Sequence, residues 1–567
     1  MKCRGHARHV WPHGCRLIFL ACLTFGGGIS LFAQAPPIVE RLSPDTVCYL
    51  EWRGTAAIAG AERKNHLLQL LHDPAVAPMW TALTTQIERS EPKGPDGITR
   101  LLMPDLFSLL DNSVVFGIVA SPDAQKASAT GKAASPFATF LVYDLTGKAD
   151  LIQKWRALST VASKTPVEVT KYDFGGTSVE VRATATGASY IAQTRNYFLT
   201  SDRKQVIEDL ITRFRGTDSE SASVTGLAAY GQMRKYVGSD PTLEFFGRIP
   251  DLGNASPGTK SIHLERIRAI GSGLSFDGEG TRMRGAILGD ASPGGPFDLA
   301  GASLATFQTQ PAVEIAPAFS ISRINLAAVY QLFTSAVVEN LPGQAAHVEA
   351  SERAAEAFLG MPVIDALQLF TGEIASMTTY ADDGTAEQLF AVSIQKPEAV
   401  LRVVRALAST MIVSEDSSGP QAFLDLAYPY QDPHTHQQRR RFYYLAVTPQ
   451  MLLAAPRKAM LRGAIERLNP QAADPPPAGV LANSDYAPLR SRLPERLSGL
   501  GAADLDLIPW EKIVANWESQ AASSNRTSQQ PPDWSWLQPG VVSRHLHFAL
   551  SGWWKDSNGI YFDSYIQ

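Results

Sequence analysis

Cysteine is nearly absent from this chain. Three of its four, Cys3, Cys15 and Cys22, lie in the first 22 residues, so Cys48 stands alone in the rest. If those first residues are removed as an export leader, the remaining single cysteine excludes an intrachain disulfide, and a chain without one must rely on its hydrophobic core. Cys48 sits in an apolar strand pattern and reads as buried and inert. Long apolar runs are missing too: beyond residue 35 no segment has the ~20 apolar residues that a membrane-spanning helix needs. Positive charge is scarce, with 51 Lys and Arg against 55 Asp and Glu, and the one basic run is Arg439-Arg440-Arg441. That balance argues against nucleic acid as a partner. Catalytic signatures are also lacking. There is no H-E-x-x-H, no phosphate-binding G-x-x-x-x-G-K and no G-x-G-x-x-G; Gly271-Ser272-Gly273 has no third glycine. Gly273-Leu274-Ser275-Phe276-Asp277 fails the nucleophile-elbow pattern at its last position.

What is present begins with an export signal. Lys2, Arg4, Arg8 and Arg16 precede a 16-residue apolar core over residues 17–32, and Ala33-Gln34-Ala35 is a small-x-small cleavage site. The mature chain is expected in the periplasm or outside the cell, with no transmembrane helix. An uncleaved N-terminal anchor and a lipoprotein signal ending at Cys22 are the alternatives. Cleavage after residue 35 removes four basic residues and no acidic one, taking the formal net charge from −4 to −8.

The strongest pattern is a self-match. Residues 190–214 align without a gap on residues 444–468, at a shift of 254, with eight of 25 positions identical. Tyr190/Tyr444, Ala192/Ala446, Arg203/Arg457, Lys204/Lys458 and Ile211/Ile465 are among them. Each copy reads as strand, two-residue turn, strand, helix. Arg195-Asn196 makes the first turn, with Asn suited to left-handed backbone. Pro449-Gln450 makes the second, and proline there demands a different turn. Ser201-Asp202 is placed to cap the first helix, whose apolar face is Val206, Ile207, Leu210, Ile211 and Phe214. Arg203-Lys204 and Arg457-Lys458 read as a solvated first turn.

Other landmarks recur in the same order. Residues 109–114 match 369–374 at a shift of 260, Ile508-Pro509 echoes Ile249-Pro250, and Asp556-x-x-Gly559 echoes Asp277-x-x-Gly280. Val400, Val403, Val404 and Leu407 form a helical face after Pro397, residues 504–508 alternate like a strand, and residues 519–533 have a loop composition. Residues 288–303 have a linker composition, which sets the expected division: signal peptide 1–35, first α+β repeat 40–290, second 304–567. Hairpin-joined strands with interspersed helices predict an α+β fold of two tandem repeats, each an antiparallel sheet with helices packed on one face.

The mature start, Leu42-Ser43-Pro44-Asp45-Thr46 followed by the strand Val47-Cys48-Tyr49-Leu50-Glu51-Trp52, resembles the opening of an exported bacterial family known as a domain of unknown function. That family favours L-P-x-D-T, and here Ser43 replaces the proline. The His72-Asp73-Pro74 break and the hairpin-helix unit of residues 190–214 look similar as well. The resemblance implies export, a bacterial origin and no catalysis.

Two constellations carry chemistry. Asp432, His434 and His436 have the types and spacing of zinc ligands, since His-x-His on a strand puts both rings on one face. The bland reading is a polar hairpin tip between strands near residues 423–428 and 442–447. His545-x-His547 repeats the spacing, but Leu546, Phe548 and Leu550 alternate there as the buried side, which leaves the histidines on an exposed strand face. Trp534, Trp536 and Trp553 form a candidate aromatic binding patch, with a tryptophan-rich core as its alternative. Trp553 and Trp554 are adjacent, so on a strand they point to opposite faces. The expected function is a non-enzymatic binding or scaffold protein of the cell envelope, without a cofactor, that engages an envelope protein, a glycan or an apolar ligand. The alternatives are a zinc-dependent hydrolase using Asp432, His434 and His436, and a carrier of lipid or another hydrophobic ligand.

Overall fold

The computed structural model describes residues 37–58, 60–61, 63–76, 78, 110–120, 137–148, 150, 168–184, 187–216, 222–238, 240–249, 263–290, 295–419, 421–431, 437–469, 479–523 and 540–567. The fold is mixed α+β, with antiparallel sheet. The chain divides into two compact units: residues 1–231 with 240–246, and residues 232–239 with 247–567.

Unit 1 is built on β1 (Thr46–Trp52), β2 (Val114–Ala120), β3 (Phe137–Asp144), β4 (Glu168–Phe174), β5 (Thr177–Thr184), β6 (Gly187–Thr194), β7 (Tyr197–Ser201) and β8 (Leu243–Gly247). Their order across the sheet is β4-β5-β6-β7-β3-β2-β1-β8. The β6–β7 turn is the expected one, but Arg195 takes the left-handed conformation (φ +51°) and Asn196 does not. The helix Lys204–Arg215 follows, and all five expected face residues, Val206, Ile207, Leu210, Ile211 and Phe214, are buried. Removing a side chain of that size from water stabilises by about 2–3 kcal/mol. Gly216 ends the helix in the left-handed region, where a Cβ is unwelcome. The expected cap is not made. Ser201 Oγ accepts from Arg203 N, while Asp202 Oδ1 accepts the β3 amide of Thr139 at 2.9 Å. Tying the helix to the sheet has taken the capping carboxylate.

Unit 2 carries β9 (Ile267–Asp277), β10 (Gly280–Gly289), β11 (Ala318–Arg323), β12 (Phe370–Tyr380), β13 (Ala386–Ile394), β14 (Ile412–Asp416), β15 (Ala422–Gln431), β16 (Gln438–Val447), β17 (Met451–Ala455), β18 (Gly499–Asp504), β19 (Phe548–Lys555) and β20 (Gly559–Ile566). All neighbours are antiparallel, in the order β9-β10-β20-β19-β18-β11-β12-β13-β17-β16-β15-β14. In the β16–β17 turn Thr448 Oγ1 accepts from Met451 N (2.9 Å), a side-chain turn that needs no positive φ and so tolerates Pro449.

Helices cover both faces at one end of this sheet, which corrects the expectation of one face. Met460, Leu461 and Ala464 of the helix Lys458–Arg467 pack on Ala446, Leu453 and Ala455. Val400, Val403 and Val404 of the helix Pro397–Ala408 pack on Leu424 and Val447, which point the other way. Leu407, expected on that buried face, is 61% exposed. The strand expected over 504–508 ends at Asp504, where the Asp504 carboxylate accepts Asp506 N and starts a 3-10 turn, Leu505–Leu507. Residues 519–523, expected in a loop, extend the helix Trp510–Ser523. No helix among the described residues is long and apolar enough to cross a membrane.

Candidate functional site

In a strand, residues two apart share a face, and antiparallel register lines them up across neighbours. On one face of unit 2 this gives a straight row over nine strands: Leu274, Met283, Ser564, Ser551, Gly501, Ser320, Ser376, Phe390 and Ala454. The row on one side reads Ser272, Gly285, Phe562, Trp553, Gly499, Ser322, Ile374, Val392 and Leu452. The row on the other reads Phe276, Thr281, Ile566, Ala549, Ala503, Ala318, Thr378 and Gln388. None of these positions carries an ionisable side chain. The alternate residues, Leu500, Ala502, Phe319, Ile321, Ala375, Met377, Leu389, Ala391 and Leu453, form the buried core on the reverse side.

The face is open to solvent in places. Ser551, Ser320, Gln388, Met283 (42%) and Phe390 (38%) are exposed, and the other apolar members are half-buried. Its middle is low, since Ala549, Ser551, Gly499, Gly501, Ala503, Ala318, Ser320, Ser322, Ser376 and Thr378 carry nothing longer than threonine. Trp553 and Phe562 stand on one flank and Phe390 on the other, giving a shallow trough that ends where Leu452 packs under the helix Pro397–Ala408. Trp553 lies across its register partner Gly499: a Cβ built there would fall 1.8 Å from the indole Nε1. Phe562 covers Gly285 in the same way. With hydroxyls and apolar groups but no acid, base or imidazole, the trough offers shape and neutral hydrogen bonds and no proton transfer.

Unit 1 buries two carboxylates on its core side. Glu51 on β1 and Glu244 on β8 are fully buried. Tyr49 donates its hydroxyl to Glu244 Oε1 at 2.7 Å, and Val39 N reaches Glu51 Oε1 at 3.4 Å. Arg53 lies 3.7 Å from Glu51 and 3.8 Å from Glu244, and pairs with the exposed Asp240. Burial pushes the Glu51 carboxyl from 4.5 up to about 7, with Arg53 opposing the shift and Glu244 adding to it. Burial, and then Glu244, hold the Tyr49 phenol well above its usual 10. The opposite face of the same sheet is uncharged at Cys48, Leu50, Phe116, Ile118, Thr139 and Leu141. Cys48 is half-buried there, not buried as expected.

Of the residues singled out from sequence, Trp553 lies in the trough of unit 2, and Trp534 and Trp536 fall outside the described residues. Trp554 points the other way, as strand alternation requires. Its indole donates to the Tyr236 hydroxyl at 3.1 Å, and Tyr236 stacks on Tyr561 at 3.8 Å. Asp432, His434 and His436 also fall outside; the flanking strands pair as far as Gln431 and Gln438. His545 and His547 precede β19 instead of lying on it, and His547 Nδ1 meets Asp506 at 3.1 Å. Among the described residues no group of three or more His, Cys, Asp or Glu is placed to hold a metal.

Neither the trough nor the Glu51–Glu244 pair was found from sequence. Serine, glycine and alanine give a weak strand signal, and the trough exists only once distant strands are in register. Glu51 did carry a signal, since it shares strand parity with the core residues Val47 and Tyr49. Glu244, the second carboxylate of the pair, lies 193 residues away. Comparison with known proteins adds no assignment: no protein-family model, no curated protein and no solved structure matches the chain.

Proposed function

We propose that this is an exported, non-enzymatic binding protein of the bacterial cell envelope, made of two tandem α+β repeats, that receives a partner protein on the uncharged sheet face of unit 2. The repeat reading is supported by strand order. β4-β5-β6-β7-β3-β2-β1-β8 in unit 1 corresponds, strand for strand, to β14-β15-β16-β17-β13-β12-β11-β18 in unit 2. The hairpins β9–β10 and β19–β20 turn at the matching Asp277-x-x-Gly280 and Asp556-x-x-Gly559. Export is supported by the basic and apolar pattern of residues 1–35.

The observation that carries the binding reading is the three-row uncharged trough. Leaving out β17, whose end is covered by the helix Pro397–Ala408, eight strands spaced about 4.8 Å apart and three rows about 7 Å apart span on the order of 600 Å² of sheet. That approaches the ~800 Å² that each partner contributes to a standard protein interface. A face without charges suits a surface recognised by shape and offers nothing to a nucleic acid. The low centre admits close approach of a backbone, and Trp553, Phe562 and Phe390 supply the aromatic flanks that concentrate binding energy.

The test is capture from an envelope extract by the immobilised full chain, compared with Ser320→Arg and Ser376→Arg. Ser320 is exposed and Ser376 half-buried at the trough centre, so both variants should melt close to the parent. A protein retained by the parent and lost by both variants is the expected result. Equal retention by all three, or no retained protein, removes the reading.

A further inference from the structure

Unit 2 holds a cleft of about 870 Å³ at the ends of β11 and β12, bordered by the starts of the helices Leu326–Asn340 and Pro397–Ala408. Its charged lining residues are Arg323, Lys396, Arg402 and Asp365, a net of two positive charges in a chain that is net negative. Among the described residues none of the four forms an ion pair. Lys396 and Arg402 are exposed at the rim, and Arg323 is half-buried. The Arg323 Nε is shut off from solvent and makes no hydrogen bond, and Nη1 reaches only the Ala302 carbonyl at 3.4 Å. Glu373 stands opposite Arg323 in register, but its Oε1 is taken by Thr309 N at 2.6 Å and Thr309 Oγ1 at 2.8 Å.

Arg53, the corresponding arginine of unit 1, also has a buried Nε without a hydrogen bond, but carboxylates surround it. Arg53 donates its backbone N–H to Thr242 O, and Arg323 donates its own to Ser498 O, each at the end of the corresponding strand. Arg53 has Glu51 two residues before it, Glu244 two after its backbone partner and Asp240 two before that partner. The same offsets around Arg323 find Ile321, Leu500 and Arg496. All three counter-charges are gone, one is replaced by a cation, and a cavity lies alongside. A partly desolvated guanidinium with spare donors is costly unless an acceptor meets it.

We propose that this cleft binds an anionic ligand: a carboxylate or phosphate group carried on a short apolar body. Arg323 takes the anionic head, with Lys396 and Arg402 adding charge at the rim. Leu326, Met361, Leu369 and Phe370 line the space for the body. The volume falls in the range usual for small-molecule sites. The site is independent of the trough, and neither proposal needs the other.

The test is calorimetric titration of the full chain with octanoate, octyl phosphate and octanol at low salt. Both anions should bind and octanol should not; the tighter of the two tells which head group the cleft prefers. Arg323→Met keeps the volume and removes the charge-assisted hydrogen bonds, and should weaken binding about tenfold or more. Lys396 occupies left-handed backbone at φ +52°. Lys396→Gly therefore relieves strain while removing a rim charge, and should weaken binding several-fold with a melting point no lower than the parent's. That second variant decides the matter if Arg323→Met fails to fold. Ser320→Arg should leave octanoate affinity unchanged. Octanol binding as tightly as octanoate, no binding of either anion, or anion affinity untouched in Lys396→Gly and in any folded Arg323→Met overturns the proposal.

Discussion

Arg284 and Asp563 face each other across β10 and β20, 3.5 Å apart, and each stands seven residues after the aspartate of its own hairpin turn, Asp277 or Asp556. The two hairpins meet at equivalent positions, where one carries the cation and the other the anion. Arg282 adds a two-pronged contact to the same carboxylate, at 3.0 and 2.5 Å, and lies over the Tyr565 ring. Asp563 is buried, and burial raises its carboxyl pKa against the pull of Arg282. Asp563→Asn keeps the shape and strands two guanidinium groups. Because both arginines are partly exposed, the expected loss is about 2 kcal/mol, below the 3–5 of a fully buried broken pair. Urea denaturation measures it, and an unchanged midpoint would show that the hairpins are held by backbone pairing alone.

The Glu51–Glu244 pair makes unit 1 sensitive to pH. The Glu51 carboxyl moves from 4.5 to about 7 on folding, so between those values the folded protein holds a proton that the unfolded chain has released. Its contribution is fully present below about pH 4.5 and is lost as pH rises through about 7. The size is on the order of 3 kcal/mol. Glu51→Gln should flatten this part of the stability profile and raise stability above neutral pH. Melting curves across pH 4 to 9 read both effects; a parent profile without the downward slope removes this account of the pair.

How much of this was legible before the structure depends on how local the cause is. The face Val206, Ile207, Leu210, Ile211 and Phe214 was readable because a helix writes its buried side into spacing alone. The turns at Asp277 and Asp556 were readable because a four-residue pattern sets them. The cap at Asp202 was misread because the carboxylate went to Thr139, 63 positions away, and no local rule contains that competitor. Helices on both faces of β15–β17 were missed for a similar reason: β15 alternates Phe423 and Leu424 into two different cores, so both parities are apolar. Candidate sites fared worst. The trough is a property of register among strands from residue 272 to residue 566, and the cleft is an absence of counter-ions.

Arg195 offers a test of the β6–β7 turn. A residue with a Cβ at φ +51° carries backbone strain, and asparagine bears that conformation better. Arg195→Asn should raise stability by about 0.5 kcal/mol, since Asn relieves only part of the strain. The corresponding turn at Pro449 needs no such residue, so Gln450→Asn should give no comparable gain. A thermal melt of each variant distinguishes them, and equal shifts would mean that left-handed strain is not the cause.

Gly499 is where the trough is most demanding. Its strand neighbours, Ser322 on β11 and Trp553 on β19, bracket a position that holds no side chain, and the Trp553 indole fills the space above it. In Gly499→Ala the new methyl group meets the ring at Nε1, and backbone on both sides keeps Gly499 from moving away. The ring must therefore swing outward. That costs about 1–3 kcal/mol, the usual penalty for overfilling a packed site. It also leaves Trp553 more exposed, so its fluorescence should shift to the red in the folded state. Gly501→Ala, one row along beneath the exposed Ser551, meets the serine Oγ at 3.0 Å and the Phe319 carbonyl at an ordinary 3.6 Å, and should change stability by less than about 1 kcal/mol. The pair separates a general cost of adding a methyl group to β18 from the cost of displacing Trp553. If both variants lose stability equally with no spectral change, the indole is not what holds position 499 to glycine.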